Sequence, residues 1–428
     1  MHPEAETLNA AIQQHSPVAL SLLSQRGKAM LFPQKGIMEQ TREAKGTKMN
    51  ASIGIGVDDA GIPMHLELIG RHLALRPEEV FPYAPSAGLP GLRELWRDSI
   101  LEHNPSLHAP MSLPVVASGL THALWMSAFL FVDPDTAVLV PEYHWENYDL
   151  MLQEGIGAEV RSYPMFSGGR FNVRGFANAV GAQKGKTIVL LNFPNNPTGY
   201  TVTTDEAVAI RDILASHAQQ GNPTVAIIDD AYFGFVYTAD AYKESLFALL
   251  ADADPHLLVA KIDGASKEYF AWGLRVGFLT LGIAGGTSSL YTALESKIAG
   301  AARMSISNVS MLCQNLVLQA MESPDYRRQW QVGYELLKRR YETAMEAIAL
   351  HASSGFFQAL PCNSSYFVCL RLQDGLDVNA VRLKLRSDHA VGVIALGNVL
   401  RVAFSSVATA DIPLVFNAIE VACESAAA

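Results

Sequence analysis

Residues 186–199 read K-T-I-V-L-L-N-F-P-N-N-P-T-G, and this stretch decides the class of fold. Its apolar core, 188–191, is unbroken and ends in asparagines, prolines and a glycine, the residues that make turns. Such a run suits a strand covered on both faces rather than one with a wet side. Comparable runs recur around it: LPVVAS at 113–118, TAVLVP at 136–141, TVAIIDD at 224–230, LLVAKID at 257–263 and RVGFLTL at 275–281. Helical spacing, as over 206–219, separates most of them. Strand and helix in alternation predict an α/β fold, a mainly parallel sheet with helices on both sides.

Further along, 325–353 is rich in Arg, Glu, Leu and Ala at helical spacing, and two strand-like runs follow, SYFVCLRL at 365–372 and NVLRVAFS at 398–405. Helix followed by strands predicts a smaller α+β domain. The opening residues precede the strand series and are expected to join it. The expected boundaries are 1–60 for the N-terminal part of the small domain, 61–320 for the large domain and 321–428 for the rest of the small one.

The bulk properties agree with an ordered globular protein. The chain has 428 residues, 49% of them hydrophobic and 17% charged, with a net charge of −10. That length exceeds one small core. No basic stripe marks a nucleic-acid partner. No apolar run reaches the length of a membrane span, and no signal peptide is read in MHPEAETLNAA, so the expectation is a cytoplasmic protein. Cys313, Cys362, Cys369 and Cys423 form no C-x-x-C pair. Cys369, in an apolar run, reads as a small buried hydrophobe, and no metal site is expected.

The polar residues fall where chemistry would be placed. Four apolar runs lead into Glu142-Tyr143, Asn195-Asn196-Pro197-Thr198-Gly199, Asp229-Asp230-Ala231-Tyr232 and Ser266-Lys267. Ligands of open α/β sheets bind beyond the carboxyl ends of the strands. A desolvated lysine can form an imine with an aldehyde. A carboxylate can keep a pyridine nitrogen protonated, and a flat aromatic can stack on its ring. Ser118-Gly119-Leu120-Thr121, between a strand and a helical segment, offers N–H groups to a phosphate, and Arg275 offers a cation.

With N-N-P-T-G, D-x-A-Y, S-K and G-L-R-V-G-F in this order and spacing, the chain resembles the class I/II aminotransferases, pyridoxal 5'-phosphate (PLP) enzymes of fold type I, from about residue 52 to 404. The resemblance implies a seven-stranded-type sheet with a small α+β domain made from both chain ends. It makes Lys267 the Schiff-base lysine and proton carrier, and Asp229 the partner of the pyridinium nitrogen. Tyr232 and Asn196 would bond the ring hydroxyl, and Tyr143 would stack on the ring. Gly119, Leu120, Thr121, Ser266 and Arg275 would hold the phosphate, with Tyr83 reaching that of a neighbouring subunit in a homodimer with shared sites. Arg401, Gly56 and Asn196 would bind the substrate α-carboxylate. Arg303, four residues before Ser307-Asn308, matches an arginine that crosses the dimer to an acidic side chain. One position departs from the pattern: Gly264 stands where many members carry a hydroxyl, three residues before the lysine.

Each of these residues also has an ordinary reading. Lys267 could follow a surface turn, Asp230 could be a solvated turn residue beside Asp229, Tyr143 could pack in the core, and Arg401 or Arg303 could face solvent. The convergence on one sheet edge favours the functional reading. The expected function is transfer of an amino group between an L-amino acid, acidic or aromatic, and a 2-oxo acid. Alternatives are β-elimination, decarboxylation or ring formation on the same cofactor, and a ligand-sensing regulatory domain. The last would need a DNA-binding segment, which is not seen in the sequence.

Overall fold

The computed structural model describes residues 1–31, 36–71, 73, 75–134 and 136–427. Its centre is a seven-stranded sheet with strands β1 (Val115–Ala117), β2 (Ala137–Pro141), β3 (Glu159–Tyr163), β4 (Thr187–Asn192), β5 (Thr224–Asp229), β6 (Leu257–Gly264) and β7 (Gly277–Gly282). Their order across the sheet is β1-β7-β6-β5-β4-β2-β3. Pairing is parallel from β6 through to β3, and β7 runs antiparallel to both its neighbours. β4, β5 and β7 are buried along their whole length, as continuous apolar runs require.

The strand the sequence did not reveal is β3, E-V-R-S-Y. It lies at the sheet edge, and Glu159, Arg161 and Ser162 are exposed. An edge strand can be polar, so it carries no continuous apolar run. β7 begins at Gly277 rather than at 275, because Arg275 adopts a left-handed backbone, φ 54°, that closes a turn at Trp272–Leu274.

The helices that matter to the site are α1 (Ile37–Glu43), α2 (Gly119–Phe131), α3 (Thr204–Gln219), α4 (Ser288–Ser305) and α5 (Tyr326–Leu350). α3 starts on a capping box. Thr203 accepts from the Glu206 N–H and Glu206 accepts from the Thr203 N–H, so two orphan donors are satisfied together.

The C-terminal region holds a four-stranded antiparallel sheet of β8 (Phe357–Ala359), β9 (Phe367–Leu372), β10 (Ile394–Leu396) and β11 (Val399–Ala403), in the order β8-β9-β11-β10. The N-terminal segment packs onto it. Met49–Asn50 pairs in parallel with Val391–Gly392, and Gln40 exchanges two hydrogen bonds with the Ala395 backbone. Arg340 of α5, fully buried, donates to the carbonyls of Val57 and Ser405 and pairs with Asp59 at 2.8 Å. The two sheets share one core, in which Trp96 and Phe278 belong to the same buried cluster as Phe367 and Leu400.

Candidate active site

β2, β4, β5 and β6 point their carboxyl ends to the same side of the sheet. The chain leaving them lines a cavity of about 470 Å³. It brings together Lys267, Asp229, Tyr232, Asn196, Ser266, Leu120, Thr121, Arg275 and Arg401, all expected from the sequence. Gly119 stands beside it, against Arg275.

Asp229 lies at the end of β5 and is 3% exposed. Tyr148 donates to its Oδ2 at 2.5 Å and the Ala231 N–H to its Oδ1 at 3.0 Å. Burial pushes its pKa up, against the pull of the Tyr148 bond and of Lys267. Asn192, at the end of β4, donates to the Asp229 carbonyl at 2.8 Å and accepts from the Asn196 N–H at 2.8 Å. One amide thus fixes both the carboxylate's backbone and the asparagine turn. Asp230, by contrast with its reading as a solvated turn residue, is buried and paired with Lys261 at 2.5 Å. Alternation along the strand sends its side chain to the opposite face.

Lys267 sits on the turn Ala265–Glu268 that directly follows β6. It is half-buried, with Nζ 5.1 Å from the centre of the Tyr232 ring. Burial lowers its pKa to about 8. Asp229 opposes this shift and Arg275 adds to it. An amine near that value is neutral often enough at physiological pH to act as a nucleophile or base.

At one end of the cavity the groups suit an anion. α2 begins with Gly119 at φ +75°, where a Cβ would lie 2.2 Å from Arg275 Nη2. The glycine therefore lets the guanidinium lie over the helix start. The Ser266 hydroxyl is buried with no partner among the described residues. Gly264 has a steric explanation. It pairs with Gly277 across β6 and β7, and a Cβ there would lie 2.6 Å from Gly277 Cα and 2.7 Å from the Val276 oxygen. No side chain fits, hydroxyl or otherwise.

At the other end is Arg401 on β11, 2% exposed. It donates to the Ser52 carbonyl at 2.9 Å and to Asn196 Oδ1 at 3.2 Å, and it lies 4.5 Å from the centre of the Phe367 ring. Its Nε has no partner, and no carboxylate is paired with it among the described residues. A buried guanidinium left this way asks for an anion.

Several expected residues lie elsewhere. Tyr143 does not reach the cavity, since its hydroxyl accepts from Arg371 at 3.0 Å and its ring packs by Phe166. Two residues on, Trp145 lines the cavity and meets Tyr148 edge-on at 5.7 Å. Gly56 is packed on Met64, and Ser52, Ile53 and Gly54 line the cavity in its place. Tyr83 is 90% exposed. Arg303, at the end of α4, is exposed and bonded to Ser307 at 2.6 Å. Ser86 donates to the Ser307 carbonyl, so the chain near Tyr83 and the end of α4 meet on one surface of the protein. The sequence reading missed Tyr148, Asn192, Trp145 and Trp272, and the cover formed by Ile37, Met38 and Thr41 of α1. The Y-H-W-E-N-Y run held a signal, being dense in aromatics just past a strand end. The cover held none. Among the described residues, no group of His, Cys, Asp or Glu could hold a metal, and all four cysteines are free. No helix among them is long and apolar enough to cross a membrane.

The family model for "Aminotransferase class I and II" matches residues 63–419. A probable aspartate/prephenate aminotransferase of Aquifex aeolicus is 28% identical over 272 residues, 62% of this chain and 63% of that protein. The cytoplasmic aspartate aminotransferase of Saccharomyces cerevisiae is 26% identical over 377 residues, 83% of this chain and 86% of that protein. The crystal structure of an aminotransferase from Anaerococcus prevotii superposes with a TM-score of 0.82 at 20% identity, covering 94% of this chain and 98% of that one.

Proposed function

Because the chain belongs to the class I and II aminotransferases, it is an enzyme that transfers amino groups, and we propose that it does so with pyridoxal 5'-phosphate in the cavity and Lys267 as the reacting lysine. The fold is that of the fold type I enzymes. The observation that carries the proposal is one cavity holding a half-buried lysine of lowered pKa, a buried carboxylate and a buried arginine with no anion of its own.

The residues present fit that cofactor. The orphaned Ser266 hydroxyl, Thr121, Arg275 and the start of α2 would hold its phosphate. Asp229 would face the ring nitrogen, Tyr232 and Asn196 the ring hydroxyl, and Trp145 rather than Tyr143 a ring face. When bound, the cofactor supplies an electron sink for the bonds at the substrate Cα.

The chain's own residues do the rest. Lys267 Nζ moves the proton between the substrate Cα and the cofactor carbon, which its pKa near neutrality permits. Tyr148 holds the Asp229 carboxylate, and Asn192 holds the backbone carbonyl behind it. Arg401 grips the substrate carboxylate, already held in position by the Ser52 carbonyl, Asn196 and Phe367. Ile37, Met38 and Ile53 exclude water.

This chain's contribution to the cavity wall is mostly apolar, with Ile37, Met38, Ile53, Trp145 and Trp272. That favours an amino acid with an aromatic or other apolar side chain. An acidic donor would need Arg303 of a second copy, and the exposure of Tyr83 and Arg303 on one surface supports a homodimer in which both cross over. The yeast relative is named cytoplasmic, and we assign this chain to the same compartment. A donor and acceptor screen, read by cofactor absorbance, tests the reaction. Conversion by amino acids and reversal by 2-oxo acids is expected. Conversion without reversal would point instead to a lyase or decarboxylase. Loss of acidic donors alone in Arg303→Ala would establish the acidic reading over the apolar one.

A further inference from the structure

Behind the turn that carries Lys267 lies a second cavity, of about 350 Å³, lined by Phe233, Tyr326, Trp330, His103 and Glu268, with Arg327 and Glu102 at its mouth. We propose that it is a binding site for a small organic cation, held by the Glu268 carboxyl between aromatic walls.

Glu268 is 9% exposed and has no hydrogen bond or ion pair among the described residues. Beneath it, Asp230 and Asp263 share a single ammonium, Lys261, at 2.5 and 2.9 Å. Asp263 also accepts from Trp96 Nε1 at 3.0 Å and Asp230 from Ser245 at 2.6 Å. Three carboxyls thus lie buried around one cation, and Glu268 is the one that faces the cavity.

Among the described residues, the other titratable groups lining the cavity are engaged or neutral. Arg327 is paired with Glu102. His103 has its pKa lowered, by burial and then by Lys261, and is neutral. Burial holds the Tyr269 and Tyr326 phenols well above their usual range, and they stack at 4.5 Å. Burial, with Asp263 adding to it, raises Glu268 to about 8. In the empty cavity it therefore keeps a proton at neutral pH.

A buried carboxyl in a cavity lined by Phe233, Tyr326 and Trp330 suits an ammonium, guanidinium or amidinium group with an apolar body, with Tyr326 and Trp330 as its walls because the Phe233 ring already lies 5.1 Å from Lys261 Nζ. A bare metal ion would need several oxygen ligands, and Glu268 supplies one carboxyl. Binding replaces the Glu268 proton by the cation, and the proton goes to solvent. The site shares the turn Ala265–Glu268 with Lys267, yet it opens on the other side of it.

The test is calorimetric titration of benzamidine hydrochloride into the full-length, cofactor-loaded protein, in two buffers of different ionisation enthalpy. Benzamidinium pairs an aromatic body with a fork of N–H donors. We expect saturable binding, one per chain, with about one proton released at pH 7. Glu268→Gln should weaken it at least about tenfold, or 1.4 kcal/mol, and abolish the release. Trp330→Leu, which keeps the carboxyl, should weaken it while the residual binding still releases a proton. No saturable binding at millimolar benzamidine, or binding unchanged in Glu268→Gln, overturns the proposal. So does equal binding of neutral benzamide without proton release, or displacement by potassium chloride as effective as by benzamidine itself.

Discussion

Substituting Ser for Gly264 would install the hydroxyl that many class I/II aminotransferases carry three residues before the lysine, yet the structure says the change does harm. The new Cβ would lie 2.6 Å from Gly277 Cα and 2.7 Å from the Val276 oxygen. Ordinary carbon contacts begin near 3.5 Å, so about 0.9 Å is missing. Both obstacles are backbone, and neither can rotate away. Gly277 in turn lies against the start of α2, where its own Cβ would be 2.7 Å from the Gly119 carbonyl carbon. Overpacking of this kind costs about 1–3 kcal/mol, and rigid neighbours put it in the upper half, about 2–3 kcal/mol. For a chain this long, that lowers Tm by roughly 2–4 °C. Pushing β7 away also moves α2 and Arg275, so cofactor affinity falls rather than rises. Calorimetric melting of the apo protein and fluorescence titration with the cofactor measure the two effects. Gly264→Ala should match the serine variant in both, because the Cβ and not the hydroxyl is at fault. A serine variant that melts within about one degree of the parent and binds the cofactor more tightly would refute the steric reasoning.

Tyr148→Phe removes a buried hydrogen bond to the Asp229 carboxylate, worth about 1.5–3 kcal/mol. Asp229, already raised by burial, should rise further, carrying the acid limb of the transamination profile upward. An unmoved limb would contradict the assigned role. Asp230→Asn weakens one of the two contacts of the buried Lys261 ammonium, which stays paired with Asp263, and should cost about 1–3 kcal/mol of stability in denaturant melts. Turnover of the folded fraction should change little. Lys267→Met should stabilise the apo protein at pH 7 by about 2–3 kcal/mol. The folded state holds this lysine at about 8, below its ordinary 10.5. Between those values the unfolded chain binds more protons, and parent stability rises with pH. The advantage of the variant should therefore vanish above about pH 10.5, and a constant advantage would show that charge burial is not its source.

How far the sequence could be read follows from which residues carry local signals. Strands buried on both faces announce themselves as unbroken apolar runs, and β1, β2, β4, β5, β6 and β7 lie where those runs are. β3 does not, because an edge strand may alternate or be charged. Asp229, Asn196 and Lys267 were legible because each stands at or within four residues of the carboxyl end of a strand, on one edge of the sheet that brings them together. Tyr143 and Trp145 sit two apart on an irregular turn, where nothing in the sequence says which ring faces inward. The same holds for Gly54 and Gly56, of which the first faces Phe367 and the second Met64. Asn192 and Tyr148 act on Asp229 through hydrogen bonds spanning 37 and 81 residues, a relation that only the folded chain displays. The Gly264 departure is likewise explained by a cross-strand neighbour, Gly277, and not by anything near it in sequence.

The central claim is that Lys267 is the lysine that takes the cofactor. Borohydride reduction of the cofactor-loaded protein, followed by proteolysis and mass spectrometry, tests it most directly. One modified peptide, carrying the reduced cofactor on Lys267, is expected, and none from Lys267→Ala, which should also lose transamination. Label on Lys261 or any other lysine, or an active Lys267→Ala enzyme, would contradict it.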